Sequence, residues 1–357
     1  MIVAHSATLI FNPVSGSGNS DEDLRTIKHC LGSKIALEVL STTEEQSARD
    51  LAEIAINRGV KCVIVSGGDG TVSQVAGALI GTEIPLGIIA RGTANAFANA
   101  LNIPTTIEQA CEAIVQGLEH DIIQVIDVGR CRDETMLLLT GIGFEADTVE
   151  DADREAKDRW GMLAYFFSGL KQLRNLKSFT AELETEDKII KVEAAAITVA
   201  NTAPASSILA QGPAGIIAND GLLDITIVAP QDRIGAIAAS YHLLQSAFHE
   251  DGAQRDDIGY LRTRWIKITA DPPQKVVLDG EIIGETPIEI ECIPRQLRLI
   301  VPGQVSHEQT EKLNHLPGVK ICPKTDPGES DGGSSEKSSD SVQTKPDVII
   351  IDYRIPD

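Results

Sequence analysis

The sequence predicts a doubly wound α/β domain at the N-terminus, an antiparallel β-rich sandwich domain after it, and a flexible C-terminal tail. Three observations carry this expectation. Between residue 7 and about residue 120, short Ile/Val-rich runs alternate with amphipathic stretches. That pattern belongs to parallel strands buried on both faces and joined by crossover helices. After Glu119-His120-Asp121 the apolar runs become short and closely spaced, and turn signals such as Asn219-Asp220-Gly221 and Asp279-Gly280 separate them, as in antiparallel sheets. Finally, Pro, Gly, Ser and Asp dominate Pro323–Pro346, a composition that cannot offset its ordering entropy by burial. With 357 residues the chain has material for two domains and a core in each. We place the first at 1–122, the second at 123–294 and the tail at 303–357, with a last strand at about 295–302 returning to the first domain.

In order along the first domain, Ala7–Phe11 reads as a strand, and Asp21–Leu31 as a helix after a Gly/Ser/Asn-rich loop. Lys34–Leu40 is a second strand. Thr43–Arg58 is a helix whose stripe is Ala48, Leu51, Ala52, Ile54 and Ala55, with Gly59 just past its end. Lys61–Val65 is a third strand, Val72–Ile80 a helix, Pro85–Ala90 a fourth strand and Asn95–Leu101 a helix, with Thr93 placed to cap it. The second domain offers strands at Ile122–Cys131, Thr135–Ile142, Phe179–Thr185, Ile189–Asn201, Leu223–Ala229, Trp265–Ala270, Lys275–Leu278, Ile288–Cys292 and Gln296–Val301. Helices at about 147–176 and 231–249 interrupt it.

Composition excludes several classes of function. Lys and Arg number 31 against 52 Asp and Glu, a formal charge of −21. Nucleic acid is therefore no partner, because phosphate backbones are met by clustered cations. Electrostatic anchoring on an anionic bilayer is disfavoured for the same reason. No apolar run reaches the ~20 residues that span a bilayer, and Met1–Ser6 lacks the charged and apolar regions of a signal peptide. The six cysteines form no C-x-x-C or zinc spacing and read as reduced thiols. The expectation is a soluble, cytoplasmic protein, with any membrane contact peripheral and transient. Residues 160–179 are the place for it: they hold five aromatics (Trp160, Tyr165, Phe166, Phe167, Phe179) together with Lys171, Arg174 and Lys177. Such a helix suits either a core or a lid over an apolar ligand.

The chemistry is concentrated in loops that follow strands, where parallel sheets bind ligands. Ser66-Gly67-Gly68-Asp69-Gly70-Thr71 combines close backbone approach, free N–H groups at a helix start and a carboxylate able to hold Mg²⁺ on a polyphosphate. Asn12-Pro13-Val14-Ser15-Gly16-Ser17-Gly18 follows the first strand, and Arg91-Gly92-Thr93-Ala94-Asn95 the fourth. All three should face one cleft. Together, N-P-x-S-G-x-G, G-G-D-G-T and P-L-G-x-x-x-x-G-T-x-N in this order resemble the catalytic domain of the diacylglycerol kinase family, which includes sphingosine and ceramide kinases. The similarity spans most of residues 5–302 and is strongest to bacterial soluble lipid kinases.

The resemblance implies ATP and Mg²⁺ as ligands and a lipid as substrate. It implies that Asn12 and Thr42 line the nucleotide pocket, that Gly67, Gly68, Asp69, Gly70 and Thr71 hold phosphates and metal, and that Thr93 and Asn95 touch nucleotide or metal. Asn219–Asp224 resembles the family's D-G-x-L-D segment, implying a structural Mg²⁺ held by Asp220 and the carbonyls of Ile217 and Leu222. Leu278-Asp279-Gly280-Glu281 resembles its L-D-G-E turn, which makes Glu281 the base for the acceptor hydroxyl, with Asp69 as the second choice. The chain departs from the pattern at Ala96 and Asn19, where an Asp and a basic residue are common, and at Glu145 in Gly141–Ala146, where Asp is usual. Arg91 is placed to supply the missing positive charge or to sit on the surface. Two other readings stand beside a lipid kinase: an NAD kinase, whose family shares G-G-D-G-T, and a catalytically silent lipid- or nucleotide-binding regulator. Monomer and homodimer are both left open. The final KPDVIIIDYRIPD resembles a receiver-domain acceptor strand around Asp352 but lacks the sheet such a strand needs.

Overall fold

A computed structural model describes residues 5–16, 18–143, 178–203, 216–229, 256–301 and 311–324. The expected helices at 147–176 and 231–249, the aromatic strip apart from its last residues, Phe144–Ala146 and everything after residue 324 lie outside the described residues.

Four strands, β1 (His5–Phe11), β2 (Ile35–Ser41), β3 (Val63–Gly67) and β4 (Leu86–Ala90), form a parallel ladder in the spatial order β2-β1-β3-β4. Alternation along each strand sends side chains to two separate cores. Leu9, Phe11, Ile64 and Ile89 meet Ile27 and Leu31 of α1 (Ser20–Gly32) and Ala110, Cys111 and Ile114 of α5 (Ile107–Glu119). Ile10, Val63, Val65 and Ile88 meet the apolar faces of α2 (Ala48–Asn57), α3 (Asp69–Leu79) and α4 (Ala96–Ala100). Helices on both faces make this the doubly wound arrangement that the sequence predicts.

Three helix expectations are corrected. α2 begins at Ala48 rather than Thr43: the Thr43 hydroxyl accepts from the amides of Glu45 and Gln46, and Ser47 with Asp50 forms a complete capping box that sets the true start. α3 begins at Asp69, inside the glycine-rich segment, so Gly68 alone separates strand from helix. α5 was not among the expected helices, although Thr106 caps it and Ala110, Cys111, Ile114 and Gly117 give it a buried stripe.

The β-rich part is a sandwich. One sheet, ordered β12-β11-β10-β7-β14-β15, is wholly antiparallel: β7 (Leu139–Gly143), β10 (Ala196–Ala200), β11 (Leu223–Val228), β12 (Ile258–Thr263), β14 (Lys275–Leu278) and β15 (Glu281–Glu285). The facing strands are β5 (Gln124–Cys131), β6 (Glu134–Met136), β8 (Phe179–Glu184), β9 (Lys188–Ala194), β13 (Trp265–Asp271) and β16 (Ile288–Leu299). Together with β17 (Lys320–Pro323) at the far edge, they extend the parallel ladder into one 11-stranded sheet. Ile142, Ile197, Val199, Ile225 and Leu261 from the first sheet interdigitate with Leu183, Ile190, Val192, Ile268 and Ile290 from the second. β12 and β15 were not read from the sequence.

The two expected strands at 288–292 and 296–301 are one strand with a register shift between Ile293 and Leu297. At its far end Leu299 lies beside Leu86 of β4, and the Ile300 amide donates to the Leu86 carbonyl. The tail expectation also reaches too far. β17 (Lys320–Pro323) pairs antiparallel with β9, Lys312 bridges Tyr260, and Leu313 and Leu316 are buried in the sandwich core. Apolar residues at 313, 316, 319 and 321 pull this stretch onto the sheet. Among the cysteines, Cys62, Cys111, Cys131 and Cys292 are buried, Cys30 is half-buried and Cys322 exposed, and all six are free thiols. No described helix is long and apolar enough to cross a membrane.

Candidate active site

Phe11 lies beside Ser41 and Ser66, and Gly67 beside Ala90. The turns after β1, β2, β3 and β4 therefore leave one edge of the sheet, and the polar contacts there show how tightly they meet. The Asn12 side-chain amide donates to the Thr71 hydroxyl at 2.7 Å, and the Gly68 amide donates to the Ser15 hydroxyl at 3.2 Å. Gly68 and Gly92 touch backbone to backbone: a Cβ on Gly92 would come within 2.8 Å of the Gly68 Cα. Gly92 has no room for a side chain, whereas a Cβ on Gly68 would rest in ordinary contact 3.4 Å from the Gly92 Cα.

Arg91 closes this assembly. It is 7% exposed. Its Nε–H donates to Asp23 Oδ2 at 2.9 Å, and its terminal nitrogens donate to the carbonyls of Asn12 at 3.1 Å and Ser15 at 2.8 Å. The guanidinium also lies 4.5 Å from the Phe11 ring centroid. The surface expectation for Arg91 is thus corrected: the side chain is buried, and most of its donors bind the first loop to the fourth.

Asp69 faces the start of α4. Its Oδ1 accepts the Phe97 amide at 3.4 Å, and the amides of Asn95 and Ala96 bear on the same carboxylate. Burial raises its pKa above the ordinary carboxylate value, and these amides oppose the rise. Asn95, not Thr93, occupies the cap position of α4. It has φ 49°, and its side-chain oxygen accepts the Gly92 amide at 2.7 Å. Asn tolerates this left-handed backbone better than most residues. Thr93 is exposed, and the Thr42 amide donates to the Phe11 carbonyl at 2.9 Å.

The start of α3 fits a polyphosphate. Side chains of Asn19, Ser47 and Thr106 cap α1, α2 and α5, but α3 has Gly68 at its N-cap and no side-chain cap. A Cβ on Gly70 would meet no atom within 4 Å, so nothing in the protein demands glycine there. Open space against uncapped amides at the positive end of a helix can accept an anion such as phosphate, and Asp69 brings one carboxylate to the same first turn.

The remaining predicted residues stand outside this cluster of contacts. Glu281 opens β15 and is exposed. Its neighbour Asp279, at φ 43°, turns its carboxylate inward onto the amides of Leu137, Leu138 and Leu139 at 2.8, 3.0 and 2.9 Å. Burial pushes the Asp279 carboxyl up to about 6; the three amides pull it down and Glu281 raises it further. Leu137–Leu139 share a core with Ala96, Phe97 and Ala98 of α4, so the 279–281 turn is anchored to the same apolar cluster as the Gly92–Asn95 loop. Asp220 lies with Ile217 and Leu222 in the loop before β11, but its carboxylate is paired with Arg262 and accepts the Leu222 amide at 3.0 Å. The guanidinium beside this carboxylate opposes a divalent cation at the same oxygens, because like charges at contact distance repel.

Sequence reasoning missed Asp127. It is 1% exposed, accepts the amides of Gly221 at 2.6 Å and Arg295 at 2.7 Å, and donates its own amide to the Ala218 carbonyl at 2.7 Å. The available signal was an acid between Ile126 and Val128 in a strand otherwise built for burial.

Comparison with known proteins follows the same division. Residues 6–131 match the model of the diacylglycerol kinase catalytic domain, and residues 139–301 that of the YegS C-terminal NAD kinase beta sandwich-like domain. The chain is 45% identical over 309 residues to an uncharacterised protein of Synechocystis, covering 84% of this chain and 70% of that protein. It is 30% identical over 299 residues to a "Probable lipid kinase YegS-like" of Stenotrophomonas maltophilia, covering 81% and 95% of the two chains. Among solved structures, "Crystal structure of a putative diacylglycerol kinase from Bacillus anthracis str. Sterne" superposes with a TM-score of 0.68 at 25% identity, over 84% of this chain and 98% of that one. With both models matched in order and a named relative covered almost end to end, the chain belongs to the diacylglycerol kinase catalytic-domain family, in its YegS-like lipid kinase branch.

Proposed function

We propose that this protein transfers the γ-phosphate of ATP to a hydroxyl of a diacylglycerol-like or related lipid. The observation that carries the reading is the meeting of the Asn12, Gly68 and Gly92 turns around the uncapped start of α3. Phosphoryl transfer asks for positioning and charge stabilisation more than for covalent chemistry. The amides of Asp69, Gly70 and Thr71 would bind phosphate oxygens, and Arg91 would hold the surrounding loops in place. Mg²⁺, when bound, would neutralise charge on the phosphates, and Asp69 would ligate it. Residues 1–122 would carry the nucleotide and 123–294 the lipid.

Glu281 is the favoured proton acceptor for the lipid hydroxyl. Its carboxylate is exposed, on a turn that Asp279 anchors, whereas the Asp69 carboxylate is engaged by the start of α4. The protein would work in the cytoplasm and meet its substrate peripherally, at the surface of a membrane.

The test is radiolabelled ATP with Mg²⁺ against a panel of lipids in mixed micelles. Label should pass into organic-extractable product. Asp69→Ala should abolish transfer, and Glu281→Gln should lower kcat by roughly 10²–10⁴-fold. Label passing to NAD instead of lipid, or transfer unchanged in Asp69→Ala, would defeat the assignment. Lipid binding without ATP turnover would point to a regulator.

A further inference from the structure

The β11/β12 pair brings an arginine against two carboxylates. Asp224 of β11 lies directly across from Arg262 of β12. Tyr260, two residues earlier on β12, shares the Arg262 face because side chains alternate with period two. Its hydroxyl donates to Asp224 Oδ1. Arg262 Nε stands 3.4 Å from the same oxygen, and a terminal nitrogen of Arg262 pairs with Asp220. Asp224 is 2% exposed. Asp220 belongs to the 216–222 loop, whose other side is tied to Asp127 through Ala218 and Gly221.

We infer that Arg262 is the resident cation of this loop: its guanidinium, carried on β12, does the work that the family resemblance assigns to a structural Mg²⁺. The geometry supports an exchange of one for the other. A structural ion in this loop would bind the Asp220 carboxylate and draw it toward the sheet, and the guanidinium does both from the neighbouring strand. It also balances Asp224, which a cation held by Asp220 and the carbonyls of Ile217 and Leu222 would not reach through the intervening arginine. A divalent ion entering at Asp220 would face the guanidinium at contact distance, where like charges repel strongly in a partly desolvated site. Withdrawing Arg262 to admit it would take away the cation that faces Asp224 and leave the Tyr260 hydroxyl as its neighbour. The inference concerns the folding of the loop and is independent of the kinase reading, since neither needs the other to hold.

The experiment uses the full chain without nucleotide. Thermal unfolding is followed in EDTA and in excess Mg²⁺, and Mn²⁺ binding is measured by equilibrium dialysis, for the wild type, Asp220→Asn, Arg262→Met and Arg262→Lys. The wild-type Tm should be the same with chelator and with Mg²⁺, and Asp220→Asn should bind as much Mn²⁺ as the wild type. Arg262→Met should lower Tm by on the order of 10 °C, since it strands two carboxylates, and Arg262→Lys should recover part of the loss. A Mg²⁺-dependent rise in wild-type Tm that vanishes in Asp220→Asn, or stoichiometric Mn²⁺ that depends on Asp220, would overturn the inference. An Arg262→Met variant as stable as the wild type would do the same. Should that variant fail to fold, the comparison of wild type with Asp220→Asn decides the question by itself.

Discussion

Replacing Arg91 with Met removes the contacts that hold the first and fourth loops together while leaving an apolar stem of similar length. Two charged donors to carbonyls, at about 1.5 kcal/mol each, and one cation–π contact of about 1 kcal/mol give a loss of about 4 kcal/mol, with the Asp23 pair adding little because Asp23 is partly exposed. Part of this destabilises the fold and part loosens the loops before ATP arrives. Arg91→Lys keeps the charge but not the planar fork, so it should recover less than half. The assay is paired: thermal unfolding, and initial rates of lipid phosphorylation over a range of ATP concentrations. We expect a lower Tm and a KM for ATP raised by roughly tenfold or more, since each 1.4 kcal/mol of preorganisation is tenfold in binding. The KM for the lipid should change much less. A variant with wild-type Tm and wild-type KM for ATP would show that the loops hold themselves and that Arg91 only fills space.

Gly92→Ala should be among the most damaging single-methyl changes, because the added Cβ meets the Gly68 Cα and the Asn95 Oδ1 within 2.8 and 2.9 Å; with about 1–3 kcal/mol of overpacking in the cradle, transfer should fall at least tenfold while the far-ultraviolet circular dichroism is kept. Asp279 gives a pH signature. Its carboxyl titrates at about 6 in the fold against about 3.9 unfolded, so its contribution is fully present below about pH 4 and is lost as pH rises through about 6. Relative to Asp279→Asn, the wild type should therefore lose about 3 kcal/mol of unfolding free energy between pH 4 and pH 7, measured by denaturant titration at each pH. Leu316→Ala should cost about 2–4 kcal/mol, because Leu316 packs within the sandwich core; a loss near zero would show that residues 311–324 do not contribute to the fold.

Much of the N-terminal half was legible because its signals are local. Apolar side chains on both faces of Ala7–Phe11, Lys61–Val65 and Pro85–Ala90 require cover on both sides, and the chirality of parallel crossovers then sends the turns after those strands to one edge. The convergence of Asn12, Gly68 and Gly92 follows from that rule without coordinates. Helix starts were read less well, because Thr43 and Ser47 are equally good caps in sequence and only the Ser47–Asp50 box, seen in space, decides between them.

What the tertiary structure decided are the pairings that no spacing encodes. Arg91 finds its partners at Asp23, Asn12 and Ser15, 68 to 79 residues away in the chain. Asp279 caps amides 140 to 142 residues away, and Asp127 receives an amide from Arg295 at a separation of 168. A charged residue reads as solvated unless its burial is known, and burial depends on which strands happen to stack. For the same reason residues 311–324 looked like tail: their few apolar side chains become a strand only because β9 offers an open edge for Lys320–Pro323 to pair with. Sequence determined the scaffold and the edge where ligands would gather; packing determined which charges lie inside it and what holds them.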